Sequence, residues 1–267
     1  MATAADEIAK EEVLYEVSER IATITINREE LQNTISGSML NGLTQLLLKA
    51  DEDPEVRAIV ITGSGRFFCA GLDLRSGGSG IGENTGAPNL DLRNTPPTVL
   101  HGLDTPTICA LNGSAAGYGM DLALGCDIRI MGDKAKLSAA FTARGVLPES
   151  GGTWILPRLL GWSKAAEIIF TGRTMLAAEC EELGLVSRVV PNDEVAGAAR
   201  SLAMEIAGNA PLAVQASKRM MRMSMNETFN DHVHHVYLQL LPLFRSDDFK
   251  EGIASFMEKR KPEFKGK

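Results

Sequence analysis

Two glycine-rich turns, GSAAGYGMD at residues 113–121 and GVLPESGG at residues 145–152, are the starting point for interpreting this chain. Each turn carries one carboxylate, Asp121 in the first and Glu149 in the second. The first turn follows an apolar run, residues 107–111, that is typical of a short buried strand, and it leads into an apolar segment that can open a helix. A turn between a strand and a helix start leaves backbone N–H groups without partners, and such groups can stabilise an oxyanion.

The two carboxylates allow two interpretations. Beside a turn that binds an oxyanion, Asp121 and Glu149 are candidates for moving a proton to and from the carbon next to a carbonyl group. An Asp at a helix start is more commonly an N-cap, which accepts a backbone N–H of its own helix. The turns alone leave both interpretations open, so other parts of the chain have to decide.

The composition excludes several classes of protein. The chain has 267 residues, of which 44% are hydrophobic, enough for one large core or two small ones. Its net charge is −7, from 27 basic and 34 acidic residues, and it has no basic run that would favour a nucleic-acid partner. The beginning, MATAADEIAKEE, is unlike a signal peptide, and no apolar run approaches the length of a membrane span. These features predict a soluble cytoplasmic protein that does not act on a membrane.

Cysteine and histidine positions do not indicate a metal site. The chain has no CxxC pair, and three of its four histidines are clustered at residues 232, 234 and 235. The cysteines lie far apart, mostly in apolar surroundings, which predicts buried free thiols in a reducing compartment. They are Cys69, Cys109, Cys126 and Cys180.

The first part of the chain alternates between strand and helix patterns. Residues 13–26 alternate apolar and polar side chains around a polar turn, which predicts a β-hairpin. Residues 36–51 have helical spacing of apolar side chains, with Ser36 or Ser38 as the cap, and residues 57–62 are typical of a buried strand. The stretch 67–74 leads out of a further strand. This rhythm predicts an α/β fold.

Residues 75–97 are rich in Gly, Asn and Pro and poor in large apolar side chains. Such a composition is typical of a linker between domains, whereas a long loop inside one compact domain is more commonly a lid. Strand and helix patterns resume after it in the same style. The sequence therefore favours a lid that covers a site, and not a linker between domains.

The chain after the second turn is mainly helical by pattern. Two short helices and a strand, at residues 163–171, 177–183 and 185–190, precede four segments with an apolar face: 194–207, 211–223, 228–243 and 250–259. The methionines among them indicate packing in a core or between subunits. The chain is thus predicted to divide into a core, residues 1–193, and a helical region for oligomerisation and closure of the site, residues 194–267.

Six motifs in this order and spacing resemble the crotonase superfamily, the enoyl-CoA hydratase/isomerase group. They are FCAGLD (68–73), NGSAAGYG (112–119) with Asp121, CDI (126–128), PESGGT (148–153), LGLVS (183–187) and EGIASFMEKRKPEFK (251–265). The resemblance covers nearly the whole chain. It implies a ββα spiral core whose C-terminal helices build homotrimers, often paired into homohexamers, and an acyl-CoA thioester substrate that brings coenzyme A with it instead of a separate cofactor.

The resemblance also implies roles for backbone groups near the first turn. Two N–H groups, those of Leu72 and Tyr118, hold the thioester oxygen and stabilise an enolate. A backbone donor of this kind contributes roughly 3–4 kcal/mol when it points at the developing charge. The backbone around Ala70, Asp73 and Leu74 holds the adenine end of coenzyme A. Lys259 matches a lysine near the coenzyme A phosphates, although a lysine at a helix end is also commonly a solvated charge.

The chain departs from the family's hydratases in its acids. Hydratases hold a water molecule between two glutamates, and their positions here are Asp121 and Phe141. Phenylalanine cannot exchange a proton, and it shapes the substrate pocket instead. Glu149, just after Pro148, resembles the single acid of the Δ3,Δ2-enoyl-CoA isomerases, which moves a proton from C2 to C4.

Three hypotheses about activity follow. The first is an enoyl-CoA isomerase in which Glu149 is the main base and Asp121 is auxiliary. The second is a 2-enoyl-CoA hydratase that uses both acids together. The third is a protein of this fold that binds acyl-CoA or partners without catalysis, against which two acids beside an oxyanion turn argue. The dehalogenase branch also has a carboxylate at position 149, but it has tryptophan where this chain has Phe141.

Overall fold

The computed structural model describes residues 11–73 and 95–267, and within them it has ten strands and ten α-helices. The strands are β1 (Val13–Ser18), β2 (Ile21–Ile26), β3 (Ala58–Gly63), β4 (Phe67–Cys69), β5 (Thr107–Leu111), β6 (Ser114–Ala116), β7 (Ile128–Gly132), β8 (Lys136–Ser138), β9 (Thr174–Leu176) and β10 (Arg188–Val190). The helices are α1 (Gly37–Glu52), α2 (Pro96–Gly102), α3 (Tyr118–Gly125), α4 (Gly152–Leu160), α5 (Trp162–Thr171), α6 (Ala177–Glu182), α7 (Val195–Ala207), α8 (Pro211–Ser224), α9 (Phe229–Leu243) and α10 (Asp247–Glu258).

The larger sheet has six strands in the order β1-β2-β3-β5-β7-β10. The predicted hairpin forms its edge, since β1 and β2 pair antiparallel from Val13 opposite Ile26 to Ser18 opposite Ile21. All the other neighbours are parallel. Parallel strands need crossover connections and helices on the sheet faces, so this sheet confirms the predicted α/β class.

The smaller sheet, in the order β4-β6-β8-β9, connects the two parts of the site. Strand β4 leads into FCAGLD, and its parallel neighbour β6 leads into the first glycine turn. The sequence analysis did not predict β6, β8 or β9, because a three-residue strand is too short to show an alternating pattern.

Several predicted elements are confirmed with shifted ends. Helix α1 begins after Ser36, whose hydroxyl accepts the N–H of Met39 at 3.3 Å, so Ser36 is the cap. Helix α3 begins at Tyr118, inside the glycine turn and before the predicted Leu122. The end of the predicted lid opens helix α2, with Pro96 at its first position. Residues 75–94 of the predicted lid, and Leu74, one of the predicted coenzyme A contacts, lie outside the described residues.

The first helix after residue 193 packs directly on the large sheet. Val195, Ala199 and Ala203 of α7 are fully buried against side chains of β2, β3, β5 and β7. The alanines let the helix backbone approach the sheet closely. The helical character of residues 194–267 is confirmed, and the division of the chain at residue 193 stays a prediction.

Charged side chains attach the next helix to the body. In α8, Lys218 pairs with Asp127 at 2.7 Å, and Arg219 and Arg222 pair with Asp104 at 2.6 and 3.1 Å. These half-buried pairs join a C-terminal helix to the segment between α2 and β5 and to the loop before β7.

Neither a membrane-spanning helix nor a cluster of metal ligands is present among the described residues. Over the described ranges, no helix is both long enough and apolar enough to cross a membrane. No group of three His, Cys, Asp or Glu side chains in those ranges could hold a metal ion. The four cysteines are buried free thiols, as predicted. Of the clustered histidines, His232 and His235 both contact Glu227 through Nδ1, at 3.2 and 2.8 Å.

The packing of α7 predicts the effect of a larger side chain. Ala203→Leu should lower the free energy of unfolding by roughly 1–3 kcal/mol, because extra methylene groups have no space between helix and sheet. Urea denaturation measures this change. The exposed Ala196→Leu on the same helix should change stability by less than about 0.5 kcal/mol. Equal stability of the two variants would contradict the described packing of α7.

Candidate functional site

The first predicted oxyanion donor, the N–H of Leu72, lies in an isolated parallel bridge with Ile35. On either side of it, Gly71 O accepts the N–H of Ile35 and Ile35 O accepts the N–H of Asp73, both at 2.9 Å. Backbone groups alternate in direction along an extended chain, so the N–H of Leu72 points away from Ile35. Within residues 11–73 and 95–267, no backbone carbonyl accepts it.

The second predicted donor, the N–H of Tyr118, is the first of helix α3. The first N–H groups of a helix have no partner within the helix. Gly117 precedes it with φ of 52° and ψ of −122°, a conformation that only glycine adopts without strain. A Cβ added to Gly71 would lie 3.9 Å from Tyr118 N, so the two donor segments lie side by side. The arrangement can therefore present both N–H groups to one oxygen atom.

Asp121 is fully buried, and its carboxylate holds the second glycine turn instead of capping its own helix. Oδ2 accepts the N–H of Ser150 at 3.2 Å, and a Cβ added to Gly152 would overlap Oδ1. Gly152 is thus required by the close approach of the carboxylate. The capping interpretation is wrong, because the N-cap of α3 is Gly117 and Asp121 lies in the first turn. The sequence could not reveal a partner 29 residues away.

The pKa of Asp121 is raised strongly. Burial, and next to it the negative charge of Glu149, raise the pKa of Asp121 to about 7, and the N–H groups of Ser150 and Gly152 oppose this shift. Oδ1 is buried and makes no hydrogen bond of ordinary geometry in the described part of the chain. An unpartnered buried carboxylate oxygen is costly, which is consistent with a carboxyl group that binds a proton more readily than usual.

Glu149 lies in the turn that Asp121 holds and is half-buried. Burial raises the pKa of its carboxyl group as well. Phe141 is buried beside the first turn, where its ring would lie 4.0 Å from a Cβ on Gly117. An apolar wall and a half-buried carboxylate therefore lie near the two donor segments, and a carboxylate there can exchange a proton with a bound group.

The side chain of Tyr118 is a feature of the site that the sequence analysis missed. It is only 4% exposed, and its pKa is raised well above the ordinary value by burial and then by the charges of Cys69, Glu149 and Asp121. The phenol is therefore within electrostatic reach of both acids. A tyrosine in a glycine turn gives no signal for this, because its backbone and its side chain serve different parts of the site.

Three of the residues expected to bind coenzyme A, Ala70, Asp73 and Lys259, lie in the described part of the chain. Ala70 and Asp73 use their N–H groups inside the chain, on Gln32 O at 3.1 Å and Ile35 O at 2.9 Å. A backbone carbonyl oxygen can accept a hydrogen bond from a donor such as the adenine amino group, and such a contact at these two residues stays a prediction. Lys259 follows the last helix, is exposed and has a left-handed φ of 56°. Its predicted contact with phosphates stays a prediction.

Comparison with known proteins agrees with the motifs. Residues 16–267 match the family described as enoyl-CoA hydratase/isomerase. A probable enoyl-CoA hydratase of Mycobacterium bovis is 36% identical over 256 residues, 95% of this chain and 98% of that protein. The 1,2-epoxyphenylacetyl-CoA isomerase of Escherichia coli is 34% identical over 96% of this chain and 98% of that protein. The crystal structure of enoyl-CoA hydratase from Mycobacterium tuberculosis matches with a TM-score of 0.89 at 32% identity, covering 96% of this chain and 100% of that one. The chain is therefore an enzyme of the enoyl-CoA hydratase/isomerase family, with the crotonase-like fold that its motifs predicted.

Proposed function

We propose that the protein is an enoyl-CoA isomerase that shifts a double bond in an acyl-CoA thioester, with Glu149 as the base. The observation that carries the proposal is the contrast between the two acids. Glu149 is half-buried in a glycine turn, whereas Asp121 is fully buried and bonded to the backbone beside it. A base must come within hydrogen-bonding reach of the substrate, so Glu149 is the better placed of the two.

The chemistry needs one carboxylate and two donors. In a 3-enoyl-CoA, Glu149 removes a proton from C2, and the electron pair of that C–H bond moves into a dienolate whose charge rests on the thioester oxygen. The N–H groups of Leu72 and Tyr118 stabilise this charge. Protonated Glu149 then returns the proton to C4, which leaves the double bond between C2 and C3. The apolar wall at Phe141 and the raised pKa of Glu149 favour holding the proton during the transfer.

The substrate brings its own coenzyme A in this proposal, and no separate cofactor takes part. The adenine end would meet the backbone carbonyls of Ala70 and Asp73, with Leu74 next in the chain. The phosphates would lie near Lys259, which is exposed and therefore available to an anion. The acyl group would lie along the wall that includes Phe141.

Substitution of the base tests the proposal directly. Glu149→Gln keeps the shape of the side chain and removes its basicity, so kcat for isomerisation of a 3-enoyl-CoA should fall at least ~10²-fold while the Kd of the acyl-CoA stays nearly unchanged. Steady-state kinetics and calorimetry measure the two quantities. Glu182→Gln, at an exposed helix position, is the matched control. Full activity of Glu149→Gln in every assay would mean that Glu149 is only a turn residue.

The alternative function is hydration of a 2-enoyl-CoA by Asp121 and Glu149 together. Asp121 accepts the N–H of Ser150, the residue next to Glu149, so both acids belong to one turn, and this supports a function in which they hold and activate a water molecule together. Asp121→Asn distinguishes the two functions, because it should cost isomerisation less than Glu149→Gln does. If both substitutions abolish hydration equally and the natural chain has no isomerase activity, the hydratase function replaces our proposal.

The pKa of Asp121 predicts a specific dependence of stability on pH. Its ordinary value is 3.8 and the folded value is about 7, so the folded chain retains a proton that the unfolded chain has lost in this interval. The free energy of unfolding therefore falls as pH rises through it. Asp121→Asn removes this effect. Between pH 5 and pH 8, the free energy of unfolding of this variant should therefore rise by roughly 2–3 kcal/mol relative to that of the natural chain. Urea denaturation at several pH values measures this, with the exposed Asp193→Asn as the control. If the stability of both variants relative to the natural chain changed with pH in the same way, the prediction would be contradicted.

We also propose that the chain forms homotrimers or homohexamers through its C-terminal helices. On helix α9, Phe229, Val233 and Tyr237 are spaced by four residues and share one face. They are 80%, 49% and 55% exposed. A monomer would leave this apolar face in water, so a second copy of the chain is the partner that we propose for it.

Light scattering tests the assembly. The mass of the natural chain at micromolar concentration should be three or six times 28.7 kDa. Val233→Glu combined with Tyr237→Glu should lower the mass, because burying unpaired carboxylates between subunits is costly. Ala196→Glu adds a charge at an exposed position that carries no large apolar side chain, and it should leave the mass unchanged. A natural chain that scatters as a monomer would rule out the proposed assembly.

A further inference from the structure

The direction of the Leu72 N–H depends on how firmly its bridge with Ile35 is held. Two backbone hydrogen bonds, Ile35 N–H to Gly71 O and Asp73 N–H to Ile35 O, make this bridge, and the bond from Ala70 N–H to Gln32 O joins the same two segments just before it. A two-residue pairing of this kind is marginal alone, because ladder pairs stabilise one another in longer strands. An additional interaction across the bridge would keep the donor more firmly directed at a substrate oxygen.

Arg28 supplies that interaction by contacting both sides of the bridge. Its Nη1 lies 3.0 Å from Asp73 Oδ2, one residue after Leu72, and donates to Thr34 O at 3.2 Å, one residue before Ile35. One guanidinium nitrogen thus joins the two segments that pair. The contact connects the residues that immediately flank the donor and its partner.

The arginine is itself fixed from two further directions. Its Nε lies 3.0 Å from Glu12 Oε1, and its backbone N–H donates to the side chain of buried Asn33 at 2.8 Å. The side chains of Arg28 and Asp73 are 15% and 6% exposed, so water screens their attraction weakly. A planar guanidinium can bond three acceptors at fixed angles, whereas a lysine ammonium at this position would neutralise the carboxylates without that geometry.

We propose that Arg28 is a positioning residue for the reaction: it aligns the Leu72 N–H with the thioester oxygen by clamping Asp73 to the segment that carries Ile35. Arg28 acts through Asp73 and Thr34 and does not touch the substrate. The inference rests on the proposed function in one respect, since it takes the N–H of Leu72 as an oxyanion donor. It assigns the Asp73 side chain a part that is separate from any contact of its backbone with coenzyme A.

Polarisation of the substrate carbonyl measures the alignment directly. In Glu149→Gln, which should bind without turnover, the C=O stretch of a bound unsaturated acyl-CoA thioester should lie at lower frequency than in solution, because two donors polarise the bond. In the double variant that also carries Arg28→Lys, the frequency should move part of the way back to its value in solution. The Kd of the corresponding CoA thioether, which has no carbonyl oxygen, should stay the same in both proteins. Raman difference spectroscopy and calorimetry give these readings.

Kinetics of the chain with Glu149 intact provide the second reading. Arg28→Lys should lower kcat about 10-fold or more, part of the roughly 10²–10³ that one oxyanion donor supplies, with little change in KM. Asp73→Asn should also lower kcat. Because it keeps the bonds from Arg28 to Thr34 and Glu12, it provides the test if Arg28→Lys folds poorly. Arg188→Lys, at an exposed position of β10, is the control and should change neither quantity.

The outcomes separate this inference from the proposed function. No shift of the carbonyl stretch in Glu149→Gln itself would overturn the oxyanion site. A normal shift in Glu149→Gln that Arg28→Lys and Asp73→Asn both leave intact, together with unchanged kcat, would overturn the positioning role alone. Equal loss of affinity for thioester and thioether would mean that Arg28 supports the fold or coenzyme A binding, and would also overturn it.

Discussion

The reaction that we propose depends on a constraint that folded proteins usually avoid: two backbone N–H groups have to stay without partners and point at the same place. Nearly all buried N–H groups are satisfied inside the chain, because an unmade hydrogen bond is expensive. Here a helix start and an isolated bridge each free one group, at Tyr118 and Leu72. The small sheet brings the two together, since its neighbouring strands β4 and β6 lead into the two segments. Its short strands therefore matter more for function than their length suggests.

The acids are subject to a second constraint, which is the cost of placing like charges in a poorly solvated site. Burial alone raises the pKa of both carboxyl groups, and the charge of Glu149 raises that of Asp121 further. With a pKa of about 7, Asp121 binds a proton over part of the neutral range, so the two acids are not always ionised together. The half-buried Glu149 is easier to keep ionised than the fully buried Asp121, and it is also the acid that a substrate can reach. Position and electrostatics thus favour the same residue as the base.

Much of the fold could be predicted from the sequence, because its larger elements have clear periodic patterns. The hairpin, helix α1 and the helical character of residues 194–267 follow from apolar spacing and from the cap at Ser36. Strands β6, β8 and β9 of the small sheet could not be predicted, since strands of three residues have no period to detect. The acids of the site were evident as residue types near glycine turns. Their interactions were not, because the partners of Asp121 lie in a turn that is distant in sequence.

Family membership leaves the reaction open for a physical reason. The chain is 36% identical to a protein named as a probable hydratase and 34% identical to one named as an isomerase, so overall identity does not distinguish the two kinds of reaction. In our proposal, hydration and isomerisation of an enoyl-CoA would use the same two oxyanion donors. The reactions differ in where a proton goes, which a few side chains decide. In this chain position 141 carries an apolar ring, Asp121 is bonded to the backbone, and Glu149 has the more open carboxylate. Those three positions are the ones that support the transfer of a proton between two carbons that we propose.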